Sequence, residues 1–251
     1  MSDLILLRHG ESEWNRLNLF TGWQDVDLSE RGEAEALESG RLLGAEADLD
    51  MRVLHTSVLT RAIHTAEITL REVGRSWLPV RRSWRLNERH YGDLTGKNKR
   101  ETAEEFGLDQ VQLWRRSYDV PPPPLPEHDP RRRLNDPRYR DVPVEFIPYT
   151  ECLKDVVARV TPYFSDVIID DLRREAVTGG AVIVVAHGNS IRALRMVLQH
   201  IPEDEIAELE VPTGIPYRIA LDDELNVISA ASRGDPAAAA AAAEAVGRQA
   251  G

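Results

Sequence analysis

Short apolar runs alternate with stretches of helical apolar spacing near the start of the chain. Residues 4–7 form the first run, and residues 53–55 form the second. Each run precedes a predicted helix, one over residues 29–43 and one that extends from a Thr56-Ser57 cap to about residue 73. Two consecutive strand–helix units predict a parallel sheet.

The second half of the chain returns to the same alternation. Four further features are predicted there: a helix over residues 151–172 with a kink at Pro162, an entirely apolar strand over 181–186, a helix over 191–199, and a closing hairpin with strands at 217–221 and 226–229. A strand that is apolar on both faces is typical of the interior of a parallel sheet. The pattern therefore predicts an α/β fold with a mainly parallel central sheet.

The middle of the chain, residues 84–150, breaks this alternation. Two short helices are predicted, over residues 100–106 and 109–118. After them, a proline run that begins at Pro121 indicates an extended or irregular path to Tyr149. The segment is too long for an ordinary connection, so we interpret it as a functional excursion that caps the active site.

Length, composition and charge fit one large α/β domain. The 251 residues hold 31 Lys and Arg against 42 Asp and Glu, a net charge of −11, and a single cysteine, Cys152. The acidic balance argues against nucleic-acid and membrane partners, since both need a basic surface. No stretch resembles a secretion signal or a membrane span, so we expect a cytoplasmic protein. We expect residues 1–235 to form a single catalytic domain and the alanine-rich residues 236–251 to form a mobile or conditionally ordered tail.

Two histidines occupy equivalent positions, each directly after a predicted buried strand and before a glycine. They are His9, between Arg8 and Gly10, and His187, before Gly188. Because the carboxyl ends of parallel strands line the ligand crevice of an open sheet, the two imidazoles are predicted to lie side by side. The glycines are expected to permit close approach of the backbone to a ligand. A neutral imidazole beside an arginine is suited to accept a phosphoryl group, because the cation lowers the pKa of the imidazole and binds phosphate oxygens.

Longer motifs around these histidines resemble one family. The stretches are Leu7-Arg8-His9-Gly10-Glu11-Ser12-Glu13-Trp14-Asn15, Phe20-Thr21-Gly22-Trp23, Thr56-Ser57-Val58-Leu59-Thr60-Arg61-Ala62, Leu86-Asn87-Glu88-Arg89-His90-Tyr91-Gly92, Gln112-Leu113-Trp114-Arg115-Arg116-Ser117-Tyr118 and His187-Gly188-Asn189-Ser190. Over residues 3–221 the chain resembles the histidine phosphatase superfamily, and within it the 2,3-bisphosphoglycerate-dependent phosphoglycerate mutases. The resemblance implies a phosphoglycerate mutase-like fold of three α/β/α layers.

The resemblance also implies a role for each motif residue. His9 would carry the phosphoryl group, and His187 would stabilise that group during transfer. Glu88 would be the general acid/base for the substrate hydroxyl, a role that a carboxyl can serve if burial raises its pKa toward neutrality. Arg8 and Arg61 would bind the transferring group. The substrate-binding residues implied in the same way are Asn15, Thr21, Gly22, Tyr91, Lys99, Arg115, Arg116, Gly188 and Asn189.

The implied reaction is the interconversion of 3-phosphoglycerate and 2-phosphoglycerate in glycolysis and gluconeogenesis, through a phosphohistidine primed by 2,3-bisphosphoglycerate. No metal ion is implied, the partners are small phosphoglycerates, and a homodimer or homotetramer is suggested by the family alone. Two alternatives remain open: a phosphatase of the same superfamily, in which water takes the phosphoryl group from His9, and a protein that binds a phosphorylated ligand without catalysis. Lys97 departs from the family pattern, which leaves open whether Lys97 or Lys99 reaches the ligand.

The distribution of charge qualifies the acidic total. Residues 61–140 hold 17 Lys and Arg against 12 Asp and Glu, although the whole chain is acidic. Four of the implied anion-binding residues, Arg61, Lys99, Arg115 and Arg116, belong to this basic stretch. A cleft lined by them is predicted to attract a phosphorylated acid by focusing the local potential.

Overall fold

A mixed sheet of six strands forms the middle layer of the protein in this computed structural model, which describes residues 1–235 together with residues 237, 241 and 244. The strands are β1 (Ser2–Arg8), β2 (Met51–Thr56), β3 (Val80–Arg82), β4 (Ala181–Ala186), β5 (Tyr217–Leu221) and β6 (Val227–Ser232). Their order is β3-β2-β4-β1-β5-β6, with β1 to β4 parallel and β5 and β6 antiparallel. The predicted mainly parallel sheet and the closing hairpin are confirmed.

Helices cover both faces of the sheet. In the described part of the chain they are α1 (Glu13–Arg16), α2 (Glu30–Gly44), α3 (Thr60–Glu72), α4 (Lys99–Phe106), α5 (Leu108–Arg116), α6 (Leu153–Tyr163), α7 (Ile169–Ala176) and α8 (Gly188–Gln199). Leu4 and Leu6 of β1 share a core cluster with residues of α6, α7 and α8, whereas Ile5 and Leu7 share the opposite cluster with residues of α2 and α3. The three-layer α/β/α architecture is therefore confirmed.

Two boundaries at the start of the fold differ from the prediction. Strand β2 extends to Thr56, and α3 begins only at Thr60 with Leu59 at its N-cap. The predicted Thr56-Ser57 cap is therefore wrong, because Thr56 ends β2 and Ser57 lies in the turn between β2 and α3. Strand β3 was not predicted, since an exposed strand of three residues with two arginines shows no alternation.

The second half of the chain follows the predicted order with one subdivision. The helix predicted over residues 151–172 is divided into α6 and α7. The π-helical turn Phe164–Ile168 joins them and begins two residues after Pro162. Proline and π-turns are the usual causes of such an interruption. Helix α8 starts at Gly188, three residues earlier than predicted, so His187 occupies its N-cap.

Residues 84–150 form the predicted irregular segment and carry two small apolar clusters of their own. The segment contains α4, α5 and the 3₁₀ turns Trp84–Leu86, Gly92–Leu94, Pro130–Arg132, Pro137–Tyr139 and Val144–Phe146. Phe20 packs with Leu94 of this segment, and Trp23 packs with Tyr139. The segment is therefore anchored to the loop that follows α1.

The alanine-rich tail predicted over residues 236–251 falls outside the described residues, apart from positions 237, 241 and 244. Within the described part of the chain, no helix combines the length and the apolar character needed to cross a membrane.

Candidate active site

The register of the two central strands brings the two imidazoles together. Strands β1 and β4 are adjacent and parallel, and Arg8 pairs with Ala186 at their carboxyl ends. The backbone N–H of His9 continues this ladder by donating to Ala186 O at 3.0 Å. The rings of His9 and His187 consequently lie edge to face, with centroids 4.9 Å apart. The side-by-side placement predicted from the sequence is thus present in the fold.

His9 presents one ring nitrogen for chemistry. Its Nδ1 lies 2.7 Å from Gly10 O, and because a carbonyl can only accept, Nδ1 carries the proton. The lone pair of Nε2 accepts a hydrogen bond from Arg61 Nε at 3.3 Å. Burial, together with the positive charges of Arg61 and Arg8, holds the pKa of His9 well below its usual 6.5. His9 is therefore neutral and nucleophilic at pH 7.

Arg61 is positioned by the loop between α1 and α2. Its Nη1 donates to Gln24 O at 3.0 Å and its Nη2 donates to Gly22 O at 2.8 Å, while burial lowers the pKa of the guanidinium to about 10. Gly22 has φ +56°, and a Cβ there would lie 3.1 Å from Arg89 O. A glycine at this position permits the left-handed backbone that turns the carbonyl toward Arg61.

The two glycines that follow the histidines have different functions in the fold. A Cβ on Gly10 would lie 2.1 Å from Gly32 O, in the first turn of α2. The expectation that Gly10 approaches a ligand is therefore wrong, because its missing side chain allows close packing of two backbone segments instead. Gly188 does line the cavity, where a Cβ would lie 3.6 Å from Arg8 Cζ.

Glu88 lines the cavity beside the start of helix α8. Its Oε1 accepts hydrogen bonds from the backbone N–H of Arg89 at 2.7 Å and from Asn189 Nδ2 at 2.8 Å. Burial disfavours the carboxylate, but these hydrogen bonds and the charges of Arg8 and Arg61 outweigh it and leave the pKa of Glu88 below its usual value. Burial therefore does not raise this pKa by itself, since the hydrogen bonds and the neighbouring cations stabilise the charged form.

The irregular segment of residues 84–150, which we call the cap, lines part of the cavity. Lys99 at the start of α4 and Arg115 at the end of α5 are both buried, and Arg116 is partly buried. Lys97 instead pairs with Asp93 at 3.2 Å, outside the cavity lining. Of the two lysines left open by the sequence, Lys99 is therefore the one at the cavity.

Nearly all the predicted site residues surround one cavity. Its lining includes Arg8, His9, Asn15, Thr21, Gly22, Arg61, Glu88, Tyr91, Lys99, Arg115, Arg116, Gly188 and Asn189, together with Leu19 and Arg192. His187 does not belong to this lining, but its ring contacts that of His9 edge to face. Six basic side chains and one carboxylate among the lining residues make a cavity suited to a multiply charged anion.

Three residues of this site were not predicted from the sequence. Ser57 Oγ lies 2.8 Å from His187 Nε2 and orients that ring. Arg89 is fully buried and donates to Arg115 O at 3.0 Å. Arg192 lines the cavity one helical turn after Asn189, a spacing that could have indicated it.

Comparison with known protein families agrees with this architecture and this pair of histidines. The model of the histidine phosphatase superfamily (branch 1) matches residues 4–232. The chain belongs to the histidine phosphatase superfamily.

Relatives of similar length show which proteins of the superfamily this chain is similar to in sequence. The chain is 55% identical to the 2,3-bisphosphoglycerate-dependent phosphoglycerate mutase of Thermobifida fusca over 250 residues, 99% of each chain. It is also 55% identical to the protein of the same name from Cutibacterium acnes, over 98% of this chain and 97% of that one. A solved mycobacterial glucosyl-3-phosphoglycerate phosphatase has a TM-score of 0.68 at 22% identity, over 92% of this chain and 97% of that one, and it shows the shared fold alone. The resemblance to the phosphoglycerate mutases within the superfamily is thus confirmed.

Proposed function

We propose that the protein interconverts 3-phosphoglycerate and 2-phosphoglycerate, in glycolysis and gluconeogenesis, as a 2,3-bisphosphoglycerate-dependent phosphoglycerate mutase. The observation that carries this proposal is one cavity that joins His9, whose ring contacts His187, to a second basic group formed by Lys99, Arg115 and Arg116. A phosphoglycerate has two anionic groups, and this cavity offers a place for each. Relatives of 55% identity over nearly the whole chain bear the name of that enzyme.

His9 acts in this mechanism as the nucleophile that carries the phosphoryl group. Its neutral ring, with Nδ1–H donating to Gly10 O, directs the Nε2 lone pair toward the basic side of the cavity. Arg61 already contacts Nε2, and Arg8 lies close enough to lower the pKa of His9, so both can bind the oxygens of a phosphoryl group there. His187 supports the same group from the facing ring. Positioning and charge neutralisation are the main demands of phosphoryl transfer.

Glu88 moves the proton of the substrate hydroxyl. It lies beside Gly188 and Asn189, between the two basic ends of the cavity. A phosphoryl group bound to Arg8 and Arg61 would neutralise two charges that now hold its pKa down. The pKa of Glu88 then rises on ligand binding, which brings the carboxyl closer to the range in which it can both donate and accept a proton.

The basic lining fits 2,3-bisphosphoglycerate as the primer. Two buried guanidinium nitrogens of the lining, Arg8 Nε and Arg115 Nη1, have no hydrogen-bond partner among the described residues. Buried donors of this kind are rare unless a ligand or water satisfies them. Arg8, Arg61, Lys99 and Arg115 would hold the primer, which when bound supplies the phosphoryl group for His9. We propose that these cations replace the metal ion that many phosphoryl-transfer sites use, so that no metal is required.

We further propose that residues 1–235 act as one catalytic domain, with residues 84–150 as its cap, in a cytoplasmic homo-oligomer. The cap contributes cavity residues and packs on the loop that holds Arg61, which supports a single functional unit. Trp77 is 66% exposed beside the edge strand β3, where Val80 is also exposed. An exposed tryptophan at an unpaired sheet edge supports a contact between subunits.

Substrate affinity should depend on pH through Lys99. Burial and the charges of Arg115 and Arg8 lower the pKa of Lys99 to about 7, and a bound anion would raise it again. We therefore expect the affinity for 3-phosphoglycerate to fall as pH rises from 7 to 9, by up to about tenfold per unit. Calorimetric titration over this range measures it, and the Lys99→Arg variant, whose guanidinium stays charged, should show a flatter profile. An equally steep profile in that variant would remove Lys99 as the cause.

Product analysis tests the proposed reaction directly. The protein should convert 3-phosphoglycerate to 2-phosphoglycerate, and catalytic amounts of 2,3-bisphosphoglycerate should shorten or remove any lag. Phosphorus NMR follows both products and free phosphate in one sample. Free phosphate as the main product would favour the phosphatase alternative, and binding without turnover would favour the non-catalytic one.

A further inference from the structure

Arg192 is a cavity residue that the mechanism above leaves without a role. It lies on α8, is 8% exposed, and contributes to the cavity lining. Its Nε donates to Leu209 O at 2.7 Å, and its Nη1 donates to Asn189 Oδ1 at 3.3 Å. Burial and, to a smaller degree, the nearby charge of Arg116 lower the pKa of Arg192 to about 10. Two guanidinium groups are thus held close together at the wall of the cavity.

Glu210 is the carboxylate that partly offsets these two charges. Its Oε1 lies 2.5 Å from Arg116 Nη2, and its Oε2 lies 3.6 Å from Arg192 Nη2. Oε2 is buried and has no hydrogen-bond partner among the described residues. A buried carboxylate oxygen that lacks a hydrogen bond is unfavourable, so this position of Glu210 is less stable than a fully satisfied ion pair.

The backbone around Glu210 is anchored independently of its side chain. Arg192 binds Leu209 O on one side, and Arg8 Nη1 binds Val211 O at 2.7 Å on the other. Rotation of the Glu210 side chain away from the arginines therefore leaves both backbone contacts in place. An incoming anion can take its position without moving the segment.

We propose that Arg192 joins Arg116 in binding the anionic group of the substrate that lies away from His9, and that Glu210 occupies this subsite as an exchangeable carboxylate when no ligand is bound. The proposal rests on the proposed function for the identity of the ligand, a phosphorylated carboxylic acid with two anionic groups. Glu210 then raises specificity, because a ligand must bring a second anion strong enough to replace a carboxylate. A simple phosphate monoester cannot do so.

The test compares binding of a ligand with two anionic groups and of one with a single group, by calorimetry on the full chain. Glu210→Gln should bind 3-phosphoglycerate on the order of fivefold more tightly, because the competing charge is gone, while the affinity for inorganic phosphate changes less than about twofold. Arg192→Gln should bind 3-phosphoglycerate on the order of tenfold more weakly, and Arg192→Lys should recover part of that loss. The matched control is Glu208→Gln, which removes the same charge from an exposed position on the same segment.

Each result decides the proposal. Unchanged or weaker binding of 3-phosphoglycerate by Glu210→Gln overturns it, and so does equal tightening by Glu208→Gln, which would indicate a general charge effect. Should Glu210→Gln fail to fold, as judged by thermal unfolding, the Arg192→Gln and Arg192→Lys pair still decides whether Arg192 binds the remote anion. Turnover by the unmodified protein is measured separately. Binding that changes as expected in a protein without mutase turnover would refute the proposed function and leave the subsite intact.

Discussion

The His9→Ala variant is expected to lose interconversion of the phosphoglycerates by a factor of about 10⁴ to 10⁶, as is typical when a covalent nucleophile is removed. The facing His187 is not expected to replace it as the nucleophile, because its Nε2 lies 2.8 Å from Ser57 Oγ. The variant should fold normally, since the contacts of the His9 side chain are local to the site: hydrogen bonds with Gly10 O and Arg61 and the ring contact with His187.

Labelling distinguishes loss of the nucleophile from general damage. Incubation with radiolabelled 2,3-bisphosphoglycerate should give an acid-labile phosphohistidine in the unmodified protein and none in His9→Ala. His128→Ala is the matched control, because it removes an exposed imidazole of the cap and should keep both labelling and turnover. Turnover retained in His9→Ala, or label that persists there, would show that His9 does not carry the phosphoryl group.

The central part of this site was predictable because strand ends carry it. His9 and His187 each follow a buried parallel strand, and adjacency of β1 and β4 is enough to bring their rings within 4.9 Å. Glu88 and the arginines of the cap, in contrast, have no periodic signal of their own. Their placement was available only from the resemblance of whole motifs, since a polar residue in a loop is most often solvated.

What the sequence did not reveal depends on contacts between distant segments. Residue 10 must be a glycine because the backbone of Gly32 in α2 packs against it, and this contact cannot be predicted from either position in the sequence. Ser57 was predicted to cap a helix because serine is favoured at N-caps. In the structure β2 extends to Thr56 and α3 begins only at Thr60, so Ser57 lies in the turn between them, where its Oγ contacts His187. Arg192 gains its significance only when residue 210 folds back beside it.

The direction of the Glu88 pKa shift likewise depends on contacts between segments that are distant in the sequence. Burial alone predicts a raised pKa, yet the hydrogen bonds that Oε1 accepts from Arg89 and Asn189, together with the charges of Arg8 and Arg61, reverse the sign. Three of those partners lie on α8, β1 and α3, so the balance is a property of the assembled site. Because we propose that the same arginines bind phosphate, we expect protonation of Glu88 to be coupled to ligand binding.

Replacement of Glu88 by glutamine should lower kcat for the phosphoglycerates by a factor of about 10² to 10⁴, the usual contribution of a general acid/base. The glutamine side chain keeps an amide oxygen for the hydrogen bonds that Oε1 accepts from Arg89 and Asn189, so the site should stay assembled. Labelling of His9 by an aryl phosphate should fall much less, because a phenolate leaves without needing a proton. A matched control is Glu145→Gln, which changes an exposed carboxylate of the cap.

The pH profiles of the unmodified enzyme provide the second half of this test. The carboxylate of Glu88 is formed above its depressed pKa in the free enzyme, and that pKa rises when an anion neutralises Arg8 and Arg61. The acidic limb of kcat, which reports the bound enzyme, should therefore lie at higher pH than the limb that Glu88 contributes to kcat/KM. Glu88→Gln should lose the kcat limb. If that limb persists in the variant, or if aryl and glycerate substrates lose activity equally, Glu88 acts through the structure of the site and not through its proton.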